Sequence, residues 1–133
     1  MTESLSKPHF IPLNKITDRG GDLSVIEDDL PFAIKRVFWI YNIEEEITRG
    51  SHAHQDSEKC LICMHKSVKV KLTNTEGEEF TFVLDNPSKV LYFPKMHWID
   101  LTYEKGAILT VLASTTYAEE QFIHDIDTFK RTK

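Results

Sequence analysis

The residues best suited to chemistry in this chain lie close together, in Arg49-Gly50-Ser51-His52-Ala53-His54 with Glu58 just beyond. On an extended strand, positions two apart share a face, so His52 and His54 project the same way, about 6 to 7 Å apart along the backbone. Imidazole titrates near pH 6.5, so such a pair can take up a proton and return it at neutral pH. A lone histidine on a strand is more often a packed or solvated residue. Two on one face, after an Arg-Gly step where backbone can approach a ligand closely, point to function instead. The pair suits proton movement next to a carbonyl, which also needs a donor or cation beside the oxygen as an enediolate develops. Arg49, Arg36, Tyr41 and the second histidine are the available donors.

A metal is the competing use of the same residues. H-x-H-x3-E opens the ligand set of metal-binding cupins, in which imidazoles and a carboxylate suit iron, manganese, nickel or zinc. The further histidine of that pattern, in P-x-G-x-x-H, falls on Ile99 of Pro94-Lys95-Met96-His97-Trp98-Ile99, and Met96 replaces the glycine. The ligand set is therefore incomplete, although His97 shares the parity of Ile99 and is a candidate to face inward beside a substrate. We expect neither a metal nor a cofactor. Cys60 and Cys63 form a C-x-x-C, but on a strand they face opposite sides and no second pair completes a zinc site, so both read as buried, inert thiols.

Several short strands must position these groups. Apolar or alternating runs separated by turn residues predict strands over 23–27, 34–42, 59–64, 68–73, 80–84, 90–93, 97–103 and 107–114. The run Val68, Val70, Leu72 against Lys69, Lys71, Thr73 is the clearest half-buried strand. Only the tail, from about Ala118 to Arg131, shows helical spacing, through Phe122, Ile126 and Phe129. Eight or nine antiparallel strands in so short a chain predict an all-β jelly roll (a sandwich or barrel) with a short C-terminal helical segment, whose interior is the natural pocket.

Length and charge limit the alternatives. The 133 residues can bury one core, so a single domain over 1–133 is expected, with residues 1–8 flexible. Lys and Arg number 16 against 21 for Asp and Glu, a net charge of −5, which argues against a nucleic-acid partner. No apolar run approaches the roughly 20 residues of a membrane span, and Met1 to Phe10 lack a signal-peptide pattern, so a cytoplasmic protein with no membrane partner is expected.

At these residues the chain resembles the sugar-nucleotide 3,4-ketoisomerases, small cupins that convert dTDP-4-oxo-6-deoxy-D-glucose to its 3-oxo isomer. The resemblance runs from about Phe10 to Lys130. Its carriers are Asp18 to Leu23 with Gly21, Ile34-Lys35-Arg36-Val37 leading to Ile40-Tyr41-Asn42, the R-G-x-H-A-H block at 49–54, and Val111-Leu112-Ala113-Ser114 followed by Tyr117 and the acidic, aromatic tail. It implies a metal-free site in which His52 and His54 transfer protons while Tyr41 or Arg49 steadies the enediolate. It also implies that Arg36 and Lys35 are candidates for the diphosphate, although alternation opposes both reaching one pocket, and that Tyr117, Phe38 or Trp39 stack on thymine. The family further implies a homodimer and a downstream pyridoxal-phosphate aminotransferase in the synthesis of 3-amino-3,6-dideoxy sugars for surface glycans. The chain departs from the family at Lys59, where a glutamine is usual, at His65-Lys66, where Asn-Gly is usual, and at Gly20 and Ile99, which bear on the configuration of the product at C4. Alternatives are a cupin 3,5-epimerase of the same nucleotide sugar, whose base is a carboxylate-supported histidine, a metal-dependent cupin dioxygenase, and a non-catalytic sugar-nucleotide-binding cupin.

Overall fold

The computed structural model describes residues 7–131. Its elements run in the order β1 (His9–Pro12), β2 (Asn14–Asp18), β3 (Gly21–Val25), β4 (Arg36–Ile40), β5 (Ile47–His54), β6 (Lys59–His65), β7 (Val68–Thr73), β8 (Glu79–Leu84), β9 (Lys89–Phe93), β10 (Trp98–Tyr103), β11 (Ile108–Ala113), β12 (Phe122–Ile123) and α1 (Ile126–Arg131). Two five-stranded sheets, β1-β9-β6-β11-β4 and β12-β5-β10-β7-β8, face one another, and β2 and β3 form a separate hairpin. Every pairing is antiparallel. This is the jelly-roll arrangement expected of the alternating runs.

The alternation explains which side chains meet between the sheets. Val68, Val70 and Leu72 of β7 are buried together with Leu101 and Tyr103 of β10, opposite Leu61 and Cys63 of β6 and Leu109 and Val111 of β11. Lys69 and Lys71 stay in water. Cys60 belongs instead to a second cluster on the outer face of the first sheet, with Val90, Tyr92 and Leu112. The two thiols therefore sit on opposite sides of β6, both free and buried, and burial pushes Cys60 up to about 12.

Three elements differ from the sequence reading. Strands β1 and β2 are additional, and β1 begins at His9 because His9 to Pro12 pair with Lys89 to Tyr92 of β9. Of the segment expected to be flexible, residues 1–6 lie outside the described residues, and Pro8 is buried. The tail is helical only over Ile126–Arg131. Phe122 and Ile123 add to the edge of β5 opposite His54 and Ala53, and the Gln55 amide donates to the Gln121 carbonyl at 2.9 Å. A ladder along an otherwise unpaired edge outweighs the local 3.6-residue spacing. The helix starts after Asp125, whose carboxylate accepts from the Thr128 amide at 3.0 Å as an N-cap, and Phe129 locks it against Trp98 and Ala53.

Candidate active site

Between the sheets lies a cavity of about 410 Å³, lined by side chains from both. Strand β5 supplies Arg49, His52 and His54, a set that strict alternation forbids, because 49 is odd and the histidines are even. A β-bulge resolves this. Ile99 of β10 pairs with His52 while Asp100 pairs with Gly50, which leaves Ser51 as an extra residue. Gly50 and Ser51 adopt φ of +100° and +59°, and the Ser51 hydroxyl donates to Asp100 at 2.8 Å. A Cβ on Gly50 would stand 2.9 Å from the Ile99 carbonyl oxygen, so only glycine lets the two strands approach here. Past the bulge the parity is reversed, and the arginine and both histidines share the cavity.

The histidines are in contact. Their Nε2 atoms are 3.2 Å apart and the rings stand edge to face, with centroids at 4.6 Å. Phe122 packs against both rings, and His124 lies 5.9 Å from His52. Nδ1 of His54 donates to Glu120, a carboxylate whose side chain is wholly buried. Glu120 also accepts from the Arg36 guanidinium and, at 2.6 Å, from the Lys59 ammonium. Burial opposes the charge on Glu120, but the hydrogen bonds from His54, Lys59 and Arg36 prevail and hold its carboxyl well below the usual range. Burial lowers His54 to about 4 against the pull of Glu120, and also lowers His52. Burial brings Lys59 down to about 8 despite its hydrogen bond to Glu120. At neutral pH both imidazoles are uncharged bases beside an ionised carboxylate, in a cavity otherwise walled by Phe38, Phe93 and Ile99.

Of the residues singled out in the sequence, His52, His54, Arg49, Arg36 and Tyr117 line this cavity. Tyr117 is 75% exposed, with the Arg36 guanidinium 5.8 Å from its ring centroid. Lys35, Tyr41 and His97 lie elsewhere. Lys35 faces the opposite way from Arg36, as alternation requires, and forms an exposed ion pair with Glu119 at 3.6 Å. Tyr41 follows the end of β4 and is 57% exposed, away from the cavity. His97 is buried but precedes β10, donates from Nδ1 to the Lys95 carbonyl at 3.2 Å, and packs near Phe80. Glu58, the carboxylate of the H-x-H-x3-E pattern, accepts a hydrogen bond from Tyr92 at 2.6 Å on the other side of the sheet, because Lys59 and Leu61 take the inward parity of β6. Among the described residues no three His, Cys, Asp or Glu side chains converge as a metal-ligand set.

Sequence reasoning missed Glu120, and noted Lys59 only as a departure from a family pattern. Glu120 lies 66 residues from His54, in a stretch read as helix, and nothing local marks it.

Comparison with known proteins bears on the family and the fold. The family described as "FdtA: WxcM-like, C-terminal" matches residues 6–133. The TDP-4-oxo-6-deoxy-alpha-D-glucose-3,4-oxoisomerase of Aneurinibacillus thermoaerophilus is 36% identical over 125 residues, 91% of this chain and 88% of that protein. The crystal structure of QdtA, a sugar 3,4-ketoisomerase from Thermoanaerobacterium thermosaccharolyticum in complex with TDP, superimposes with a TM-score of 0.87 at 36% identity, covering 96% of this chain and 94% of that one. WlaRA, a TDP-fucose-3,4-ketoisomerase from Campylobacter jejuni, does so with a TM-score of 0.86 at 31% identity, covering 95% of each. Matched over nearly its whole length in both sequence and fold, the chain belongs to the FdtA family of WxcM-like proteins.

Proposed function

We propose that this protein is an isomerase that converts a TDP-linked 4-oxo-6-deoxyhexose to its 3-oxo isomer. The observation that carries the reading is the contact between two imidazoles inside a mostly apolar cavity that Arg49 also lines. The names of the related ketoisomerases support the substrate class. In the reaction the histidine pair removes the proton from C3. The C3–H electron pair forms the C3=C4 double bond as the C4 carbonyl electrons move onto its oxygen, where a guanidinium stabilises the enediolate. The O3 hydroxyl then loses its proton to become a carbonyl, C4 takes a proton from the histidine pair, and the C4 oxygen is protonated. No electrons leave the sugar, so the scheme calls on no redox partner.

Arg49 takes the stabilising role for which Tyr41 was the alternative, because Arg49 lines the cavity and Tyr41 does not. Arg36 and Tyr117, stacked at the cavity, serve the diphosphate and the base. We include a homodimer in the proposal. Ile16 and Leu23, on a hairpin paired with neither main sheet, are 45% and 56% exposed, and a second copy would bury them. A 3-ketone is the carbon an aminotransferase would next convert to an amine. Among the described residues no helix is long and apolar enough to cross a membrane; a cytoplasmic location belongs to the proposal.

The test is incubation of chelator-treated protein with TDP-4-oxo-6-deoxyglucose in heavy water, followed by NMR. The expected result is a 3-oxo product with solvent deuterium at C4 and none at C5; C3 of the product is a carbonyl, so deuterium at C3 is expected only in substrate that is re-protonated there. His54 with its supporting Glu120 is also the arrangement a 3,5-epimerase would need, and deuterium at C5 would establish that activity instead. Binding of the nucleotide sugar without any exchange would leave a non-catalytic binder.

A further inference from the structure

Glu120 is bonded on every side. Its buried carboxylate meets Arg36 from β4, Lys59 from β6 and His54 from β5, and it approaches from the segment that leads into β12. Two cations against one carboxylate keep it ionised, and an ionised carboxylate can only accept hydrogen bonds. Nδ1 of His54 must therefore carry a proton. A buried, uncharged imidazole has just one N–H, so Nε2 of His54 is left with its lone pair, directed at Nε2 of His52 3.2 Å away. His52, Lys59, Arg36 and Glu120 are the titratable or charged groups around His54, and His124 lies beyond His52.

We infer that Glu120 is a positioning residue for the isomerisation: it fixes His54 in the Nδ1–H tautomer, so that Nε2 is the proton acceptor of the histidine pair, while Lys59 and Arg36 hold Glu120 in its ionised form. The consequence for rate rests on the isomerase reading. The tautomer does not, and the two are measured separately.

The competing explanation is that Glu120 merely neutralises a buried lysine. Removing Glu120 alone would leave Lys59 and Arg36 uncompensated and endanger the fold, so the variant to use is Lys59→Met/Glu120→Met, which removes the buried lysine charge along with the carboxylate, leaves the partly exposed Arg36 in place, and provides no oxygen at position 120 to accept from Nδ1. Long-range proton–nitrogen correlation spectra of ¹⁵N-histidine-labelled full-length protein near pH 7.5 read the tautomer directly, with His54 assigned by its loss in His54→Asn. The wild type is expected to show His54 protonated at Nδ1 only. Lys59→Met should keep that pattern because Glu120 is still present, and the double variant, with no acceptor at position 120, should lose it. With the nucleotide sugar as substrate, kcat of the double variant should fall on the order of 10²-fold, the lower end of what a general base contributes, while KM changes less than about threefold. Retention of the Nδ1–H pattern in the double variant overturns the inference, whatever happens to kcat. Retention of kcat overturns it as well. A wild-type protein that gives no 3-oxo product removes the isomerase reading and leaves the tautomer result to decide the role of Glu120.

Discussion

Substituting Gly50 by alanine should damage this protein more than the loss of any other glycine's conformational freedom, because two costs coincide there. The first is the backbone: φ is +100°, and a residue with a Cβ in left-handed conformation costs about 1 to 2 kcal/mol. The second is the neighbour. The new Cβ would lie 2.9 Å from the Ile99 carbonyl oxygen, with the Ile99 carbonyl carbon at 3.6 Å, so relief requires β5 and β10 to move apart rather than a side chain to rotate. Overpacking of this kind adds about 1 to 3 kcal/mol, for a total of about 2 to 5 kcal/mol. Gly77 is the internal control. It has a similar φ of +87° in the turn between β7 and β8, but no atom within 4 Å of its virtual Cβ, so Gly77→Ala should cost only the backbone share. Urea unfolding of both variants measures the difference. For a chain of 133 residues each kcal/mol corresponds to roughly 3 to 4 °C in Tm, so calorimetry should separate them by several degrees. Since the bulge puts Arg49 and His52 on one side of β5, Gly50→Ala should also lower kcat under conditions where it is fully folded. If Gly50→Ala and Gly77→Ala destabilise equally, within about 0.5 kcal/mol, the close approach at Ile99 does not constrain the strand and the reasoning fails.

Two further outcomes follow from buried groups. Burial lowers His54 from its ordinary 6.5 to about 4, so between these values the unfolded chain binds a proton that the native state refuses; stability should fall as pH drops through that window, by up to about 3 kcal/mol from His54. His52 shifts in the same direction, Glu120 adds its own loss only below its ordinary 4.5, and urea midpoints that stay level from pH 6.5 to 4 would contradict this. The Tyr103 hydroxyl is buried at the cavity wall with no hydrogen-bond partner among the described residues, so Tyr103→Phe should leave stability unchanged or raise it; a loss above about 1 kcal/mol by urea unfolding would mean that the hydroxyl has a partner within the protein.

The chain's local patterns were enough to recover most of the barrel and part of the site. Val68 to Thr73 alternates over the same span as β7, and the opposite facing of Cys60 and Cys63 follows from the two-residue repeat of any strand. His52 and His54 sharing a face follows in the same way. These inferences succeed because side-chain direction along a strand depends only on neighbouring residues. The same rule puts Lys35 and Arg36 on opposite sides, as they are.

What local pattern could not reach has a common cause. The β-bulge at Ser51 depends on how β5 meets β10, strands separated by more than forty residues, yet it decides that Arg49 joins the histidines. The tail from Ala118 carries helical spacing, but the open edge of β5 offered backbone partners that Phe122 and Ile123 took instead. That choice brought Glu120 to His54, and so set the charge cluster with Lys59 and Arg36. Residue types and their period specified the strands and the imidazole pair. Pairing between distant strands, which hydrogen bonding and burial settle only when the whole barrel closes, determined which cations and which carboxylate surround that pair.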